Sequence, residues 1–214
     1  MGATRPGFFV VLEGPEGAGK TTLVARLAAR LAALGVGFVQ VREPGGTPAA
    51  EALRSELLDR ADRVWTPEAE LLYIATARAD LVAKVILPAL EAGRLVLSDR
   101  YDLSTHAYQV AGRGLPEDHV RWVNEAATAG LTADLTCVLD LAPEVGLARQ
   151  VSAGKKQDRL DRESAEFHAR VAARYRAAEG SGIVHVDAAL PAERVEQLVW
   201  DAIVAARPEF FDMR

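Results

Sequence analysis

The stretch Phe8-Phe9-Val10-Val11-Leu12-Glu13-Gly14-Pro15-Glu16-Gly17-Ala18-Gly19-Lys20-Thr21 decides the reading of the whole chain. Its first five residues are apolar and mostly aromatic or β-branched, the pattern of a strand buried on both faces. Its second half fits G-x-x-x-x-G-K-[ST]. A helix is predicted just after it, because Leu23, Leu27, Leu31 and Leu34 recur at helical spacing before Gly35. Strand, glycine loop and helix in that order are the context a phosphate-binding loop requires. The glycines let backbone N–H groups turn inward around phosphate oxygens, and the helix N-terminus adds partial positive charge. Lys20 supplies a full charge, and Thr21 offers a hydroxyl to a magnesium ion. The predicted cradle is Gly14, Gly17, Ala18, Gly19, Lys20, Thr21 and Thr22.

Outward from this motif, strand-like and helix-like stretches alternate. Phe38 to Val41 reads as a second strand and Pro48 to Leu58 as a helix. A long helix is expected from an N-cap at Thr66 to Ala92, with Pro88 as a kink or early stop. Leu95 to Leu97 is a third strand ending at Asp99, and two helical stretches follow, broken near Gly112 to Pro116. Leu135 to Leu139 and Ile183 to Val186 supply two more strands. Helix, basic loop and helix fill the span between them, and Glu193 to Ala206 closes the chain as a helix. Strands separated by helices predict an α/β three-layer sandwich of the P-loop NTPase type, with a five-stranded parallel sheet covered on both faces. No linker divides the 214 residues, so residues 1–214 are expected to form one domain.

With 25 Lys and Arg against 30 Asp and Glu, the net charge of -5 argues against a whole-surface grip on nucleic acid or an anionic membrane. The lone Cys137 excludes an intramolecular disulfide framework and fits a reducing cytoplasm. The four histidines show no metal-ligand spacing. No apolar run is long enough for a signal core or a membrane span.

A phosphate loop alone does not separate kinases from switches and motors. A guanine-binding Asn-Lys-x-Asp element is absent, and the length suits a small kinase with a bound acceptor. An ATPase switch and a kinase for another acceptor remain the alternatives. An acceptor that is itself a phosphate calls for arginines. Arg42-Glu43-Pro44-Gly45-Gly46-Thr47 and Asp99-Arg100-Tyr101 both follow strands, at the edge where open α/β sheets bind ligands. Asp99 is the candidate magnesium-side carboxylate, beside Thr21. Ser104, Thr105, Tyr108 and Gln109 follow at helical spacing.

These passages, in this order and together with Arg54, Asp158-Arg159, Phe167-His168 and Tyr175, resemble the thymidylate kinase family. The resemblance implies ATP with Mg2+ as donor, thymidine monophosphate (dTMP) as acceptor, and a homodimer. It implies that Glu16 lies near the acceptor sugar and Glu43 near the active site. Arg54 and Arg100 would position the acceptor phosphate. Arg78, Thr105 and Gln109 would touch the base, and Tyr108 would disfavour a 2′-hydroxyl. The stretch Val186-Asp187-Ala188 would lie near adenine.

The loop residues Pro15, Glu16 and Ala18 include no arginine, as in bacterial members with a basic lid. That lid is expected at about residues 148–162, where Arg149, Lys155, Lys156, Arg159 and Arg162 outnumber Asp158 and Asp161. Arg149 and Arg159 are the candidates for transition-state contact. Gly112, Gly114 and Gly154 are candidate mobile points. The resemblance implies a Phe stacked on thymine where this chain has Ile74, so Ile74 is expected to pack on the base, the alternative being that neighbouring Tyr73 supplies the ring. Trp122 is a candidate for the subunit interface.

Overall fold

The computed structural model describes residues 5–60, 63–154 and 157–211. Lys155 and Lys156 of the expected lid lie outside the described residues. In chain order the elements begin β1 (Phe8–Glu13), α1 (Lys20–Ala33), β2 (Phe38–Arg42), α2 (Pro48–Leu58) and α3 (Pro67–Leu81). A widened turn, Val82–Ile86, leads into α4 (Leu87–Glu91) and β3 (Leu95–Asp99). Next come α5 (Asp102–Thr105), a second widened turn over His106–Gly112, α6 (Glu117–Thr128) and β4 (Leu135–Asp140). The chain ends with α7 (Pro143–Ser152), α8 (Ala165–Arg176), β5 (Ile183–Asp187) and α9 (Ala192–Ala206).

The five strands are parallel in the order β2-β3-β1-β4-β5, as the alternation predicts. β1 is buried along its whole length, and its side chains divide between the two faces of the sheet. Phe8, Val10 and Leu12 pack with Leu23, Leu27 and Leu31 of α1 and Val195, Val199 and Ile203 of α9. Phe9 and Val11 pack with Leu81, Val82, Ile86 and Leu90. A third cluster joins Tyr108 and Val138 to Phe167, Val171 and Tyr175 of α8. From β1 the chain first builds β2 and β3 on one side and then crosses to build β4 and β5 on the other, so a crevice opens at the carboxyl end of β1.

Local signals explain the helix starts. Thr47, Thr66 and Ser164 accept hydrogen bonds from the N–H groups of Ala50, Ala69 and Phe167, and Pro48 and Pro67 occupy first-turn positions. Pro88 does not stop the helical stretch, which runs on through α4 to Glu91. The widened turn just before it adapts the backbone to a residue that lacks an N–H and crowds the carbonyl four residues back. The second widened turn holds the neighbours Tyr108 and Gln109 both buried. Gly112 serves packing: a Cβ there would lie 2.5 Å from the Phe167 ring. Among the described residues, no helix is long and apolar enough to cross a membrane.

Candidate active site

The N-cap of α1 is Gly19, with φ 88° and no side-chain cap, and the first turn of the helix lines the cavity described below, which leaves its N–H groups for a ligand. Gly17 is required by proximity as well as by its φ of 72°. Its Cβ would sit 2.2 Å from the carbonyl oxygen of Gly146, in the first turns of α7. Lys20 curls back, donating from Nζ to the carbonyls of Gly14 and Pro15, each at 2.8 Å. Burial, helped by the nearby Arg100, lowers its pKa to about 8. Thr21 Oγ1 donates to Asp99 Oδ2 at 2.8 Å, bringing the two predicted metal-side oxygens together.

Arg100 stands at the adjoining edge with a φ of 75°, a left-handed conformation costing about 1 kcal/mol for a non-glycine residue. Its guanidinium meets Glu16 at 2.5 Å and the hydroxyls of Tyr175 and Tyr108 at 2.9 and 3.2 Å. Burial opposes its charge, but these tyrosines, Glu16 and Asp99 outweigh it and hold the pKa above the usual arginine value. Glu13 underpins this turn. Fully buried at the end of β1, it accepts from the N–H groups of Tyr101 and Ser104 and from the hydroxyls of Ser104 and Tyr175. Burial raises its pKa.

Arg78 on α3 is 1% exposed. Its Nε donates to Glu43 at 2.6 Å, Nη1 to Thr105 and Asn124, and Nη2 to the Tyr101 carbonyl. Those bonds use four of the five N–H donors a guanidinium carries. The other Glu43 oxygen, Oε1, is buried with no partner among the described residues, as is Gln109 Oε1. Burial pushes the Glu43 carboxyl up to about 7 against the pull of Arg78. Arg54 Nη1 donates to the Pro44 carbonyl at 2.9 Å, and burial together with Arg42 lowers its pKa.

A cavity of about 580 Å³ joins these groups. Its lining includes Glu16, Gly17, Ala18, Gly19, Lys20, Thr21, Thr22 and Asp99 at the phosphate-loop end. Glu43, Arg54, Ile74, Arg78, Arg100, Ser104, Thr105, Tyr108 and Gln109 line the other half, and Arg149 lies on the lid side. Tyr73 does not substitute for a stacking ring, because it packs on Trp65 at 4.4 Å between ring centroids, leaving Ile74 to face the cavity. Gly14 contributes its carbonyl to Lys20 from just behind the lining.

Arg159, unlike Arg149, does not line the cavity. Its Nε donates to the Leu57 carbonyl at 3.0 Å, and its Nη2 pairs with buried Glu70. Glu13 and Glu70 escaped the sequence reading. Each is a charge where the pattern calls for burial: Glu13 closes an apolar strand, and Glu70 lies four and eight residues before Ile74 and Arg78, on the same helical stripe.

A phosphate cradle sharing one cavity with converging arginines defines a P-loop phosphotransferase whose acceptor is itself anionic. The family model described as Thymidylate kinase matches residues 12–199. Curated relatives named thymidylate kinase include that of Thermomicrobium roseum, 49% identical over 92% of this chain and 94% of its own length. That of Synechococcus sp. is 48% identical over 91% and 94%. That of Deinococcus radiodurans is 44% identical over 92% and 96%. The chain belongs to the thymidylate kinase family, and so to the nucleoside monophosphate kinases.

Proposed function

We propose that this chain transfers the γ-phosphoryl group of ATP to the phosphate of dTMP, giving dTDP and ADP, as one kinase domain with a lid at about residues 148–162. The observation that carries the reading is the continuity of one cavity from Lys20 and Thr21, past Arg100, to Arg78 and Gln109. The acceptor is a phosphate monoester with a second pKa of about 6, already ionised enough to attack without a dedicated base. The protein's work is to bring two polyanions together and neutralise them. Lys20 and the loop N–H groups hold the donor phosphates. Arg54 and Arg100 hold the acceptor phosphate, and Arg149 reaches the transferring group from α7. Ala188 and Leu190 form the adenine side. Arg78, Ile74, Thr105 and Gln109 form the base wall, while Glu16 and Tyr108 bound the sugar.

Mg2+ fits the residues present: a hydroxyl and a carboxylate side by side, with no cage of three or more His, Cys, Asp or Glu among the described residues, suit an ion completed by substrate phosphates. Thr21 and Asp99 would hold it, and it would neutralise charge on the donor phosphates. A homodimer is supported by Leu72 on α3 and Trp122 on α6, 56% and 70% exposed on helices that pack together. The single cysteine suits work in the cytoplasm. Coupled detection of ADP, with dTMP and the uridine, cytidine and guanosine monophosphates as separate acceptors, tests the reading. It expects dTMP-dependent ADP release, and none with dTMP would defeat it.

A further inference from the structure

Glu70 is 1% exposed, on the α3 stripe that carries Ile74 and Arg78. Four donors converge on its carboxylate. Gln109 Nε2 reaches Oε1 at 2.8 Å, Arg113 reaches Oε1 and Oε2 at 3.0 and 2.9 Å, and Arg159 Nη2 reaches Oε2. Burial alone would favour the neutral acid, but the two arginines hold the carboxyl below its usual range. Arg159 also donates from its backbone N–H to Leu58 and from Nε to Leu57, so it caps the carbonyl end of α2, a helix with no basic residue in its last turn.

These bonds fasten the lid's return segment to both acceptor-side helices: α2, which carries Arg54, and α3, which carries Ile74 and Arg78. The other end of the lid is fastened to the donor side. Gly146 lies against the phosphate loop, and Arg149 Nη1 donates to the Ala188 carbonyl at 2.9 Å. Gln109 links the two halves: the residue lines the cavity, its Nε2 donates to Glu70, and its Oε1 is buried with no partner among the described residues.

Resting on the function proposed above, we infer that Glu70 and Arg159 form a latch through which acceptor binding sets the lid. A ligand N–H on Gln109 Oε1 fixes the amide, the amide fixes the Glu70 carboxylate, and the carboxylate holds Arg159. Glu70 and Arg159 are then positioning residues, and Arg159 does not touch the transferring phosphate.

The test is calorimetric affinity for a non-hydrolysable ATP analogue, with and without saturating dTMP, on the full chain. The wild type is expected to bind the analogue at least about fivefold tighter with dTMP, the lower end of ordinary site-to-site coupling. Arg159→Gln should reduce that gain to under about twofold while leaving dTMP affinity within about twofold, and Arg159→Lys should restore part of it. Glu70→Gln, if its circular dichroism matches wild type, should lose the gain too, and adding Arg159→Gln should change nothing further. Should Glu70→Gln not fold, the two Arg159 variants decide alone. A wild-type protein that binds no dTMP defeats the function reading. Full coupling in Arg159→Gln, or losses that multiply in the double variant, overturns the latch alone.

Discussion

The contact between Gly17 and Gly146 makes a demanding prediction for Gly146→Ala. In an exposed helix this change stabilises by about 1 kcal/mol. Here the new Cβ would lie 2.2 Å from the Glu16 carbonyl oxygen, whereas ordinary contact begins at 3.4 Å. Both sides are backbone, so no side chain can swing away, and α7 must part from the phosphate loop by about 1 Å. Overpacking costs about 1–3 kcal/mol, so after the helical gain the net loss of stability is about 0–2 kcal/mol. That lowers Tm by no more than about 8 °C for a chain of this size. The kinetic effect should be larger. Arg149 is one turn beyond Gly146, and a misplacement of about 1 Å can cost about 100-fold in rate, or about 2.7 kcal/mol of barrier. Initial rates are expected to show kcat/KM for ATP reduced about 30- to 100-fold. Calorimetric dTMP affinity should stay within about twofold, because Arg54, Arg78 and Gln109 lie on other elements. Gly37→Ala, where a Cβ meets nothing within 4 Å, is the matched control. Wild-type kcat/KM for ATP in folded Gly146→Ala would refute the idea that this joint aims the lid helix at the phosphates.

Arg149→Ala should lower kcat by about 10²- to 10³-fold while changing dTMP affinity little, and equal losses in both would remove Arg149 from the transition state. Ile74→Phe should tighten dTMP binding by about two- to tenfold, the worth of a ring stacked on the base; unchanged or weaker binding would mean that stacking was not limiting. Because the free enzyme's Lys20 has a pKa of about 8, kcat/KM for ATP should fall above that pH, whereas kcat should hold to higher pH once phosphates stabilise the ammonium. The same lowered pKa means that between pH 8 and 10.5 the unfolded chain binds more protons, so the unliganded protein's stability should rise with pH there, and denaturant titration of Lys20→Met should show that slope diminished. For the proposed homodimer, Trp122→Glu should shift the sedimentation of the protein toward monomer in analytical ultracentrifugation, and a dimer that the change leaves intact would move the proposed interface elsewhere.

The strands and most helix limits were legible because they follow from local rules: an apolar run such as Phe8 to Leu12, a threonine ahead of a proline at Thr66, a glycine after Leu34. The phosphate loop was legible for the same reason, since its chemistry sits within consecutive residues. The direction of Arg159 was not. A lid arginine next to an aspartate reads as a phosphate ligand until the fold brings up Glu70, 89 positions away. Glu13 was hidden because its partners, Tyr101, Ser104 and Tyr175, come from the turn after β3, from α5 and from α8. Nothing in the sequence around Gly146 announces the phosphate loop that packs against it, because the two are more than a hundred residues apart. The widened turn before Pro88 was illegible because a proline reports only what it forbids, not how the backbone yields.

The register of the central strands has a further meaning. Leu12, Asp99 and Arg42 stand in one row across β1, β3 and β2, so the donor loop and both acceptor-side turns leave the sheet side by side. Neighbouring strands are about 4.8 Å apart, a spacing set by main-chain hydrogen bonds that no side-chain replacement can stretch. In the proposed reaction the sheet is thus a yardstick that meters the gap between donor and acceptor phosphates. Mutation would then redraw only the walls around that gap, so that Ile74 changes what the acceptor packs on and not how far the two phosphates stand apart.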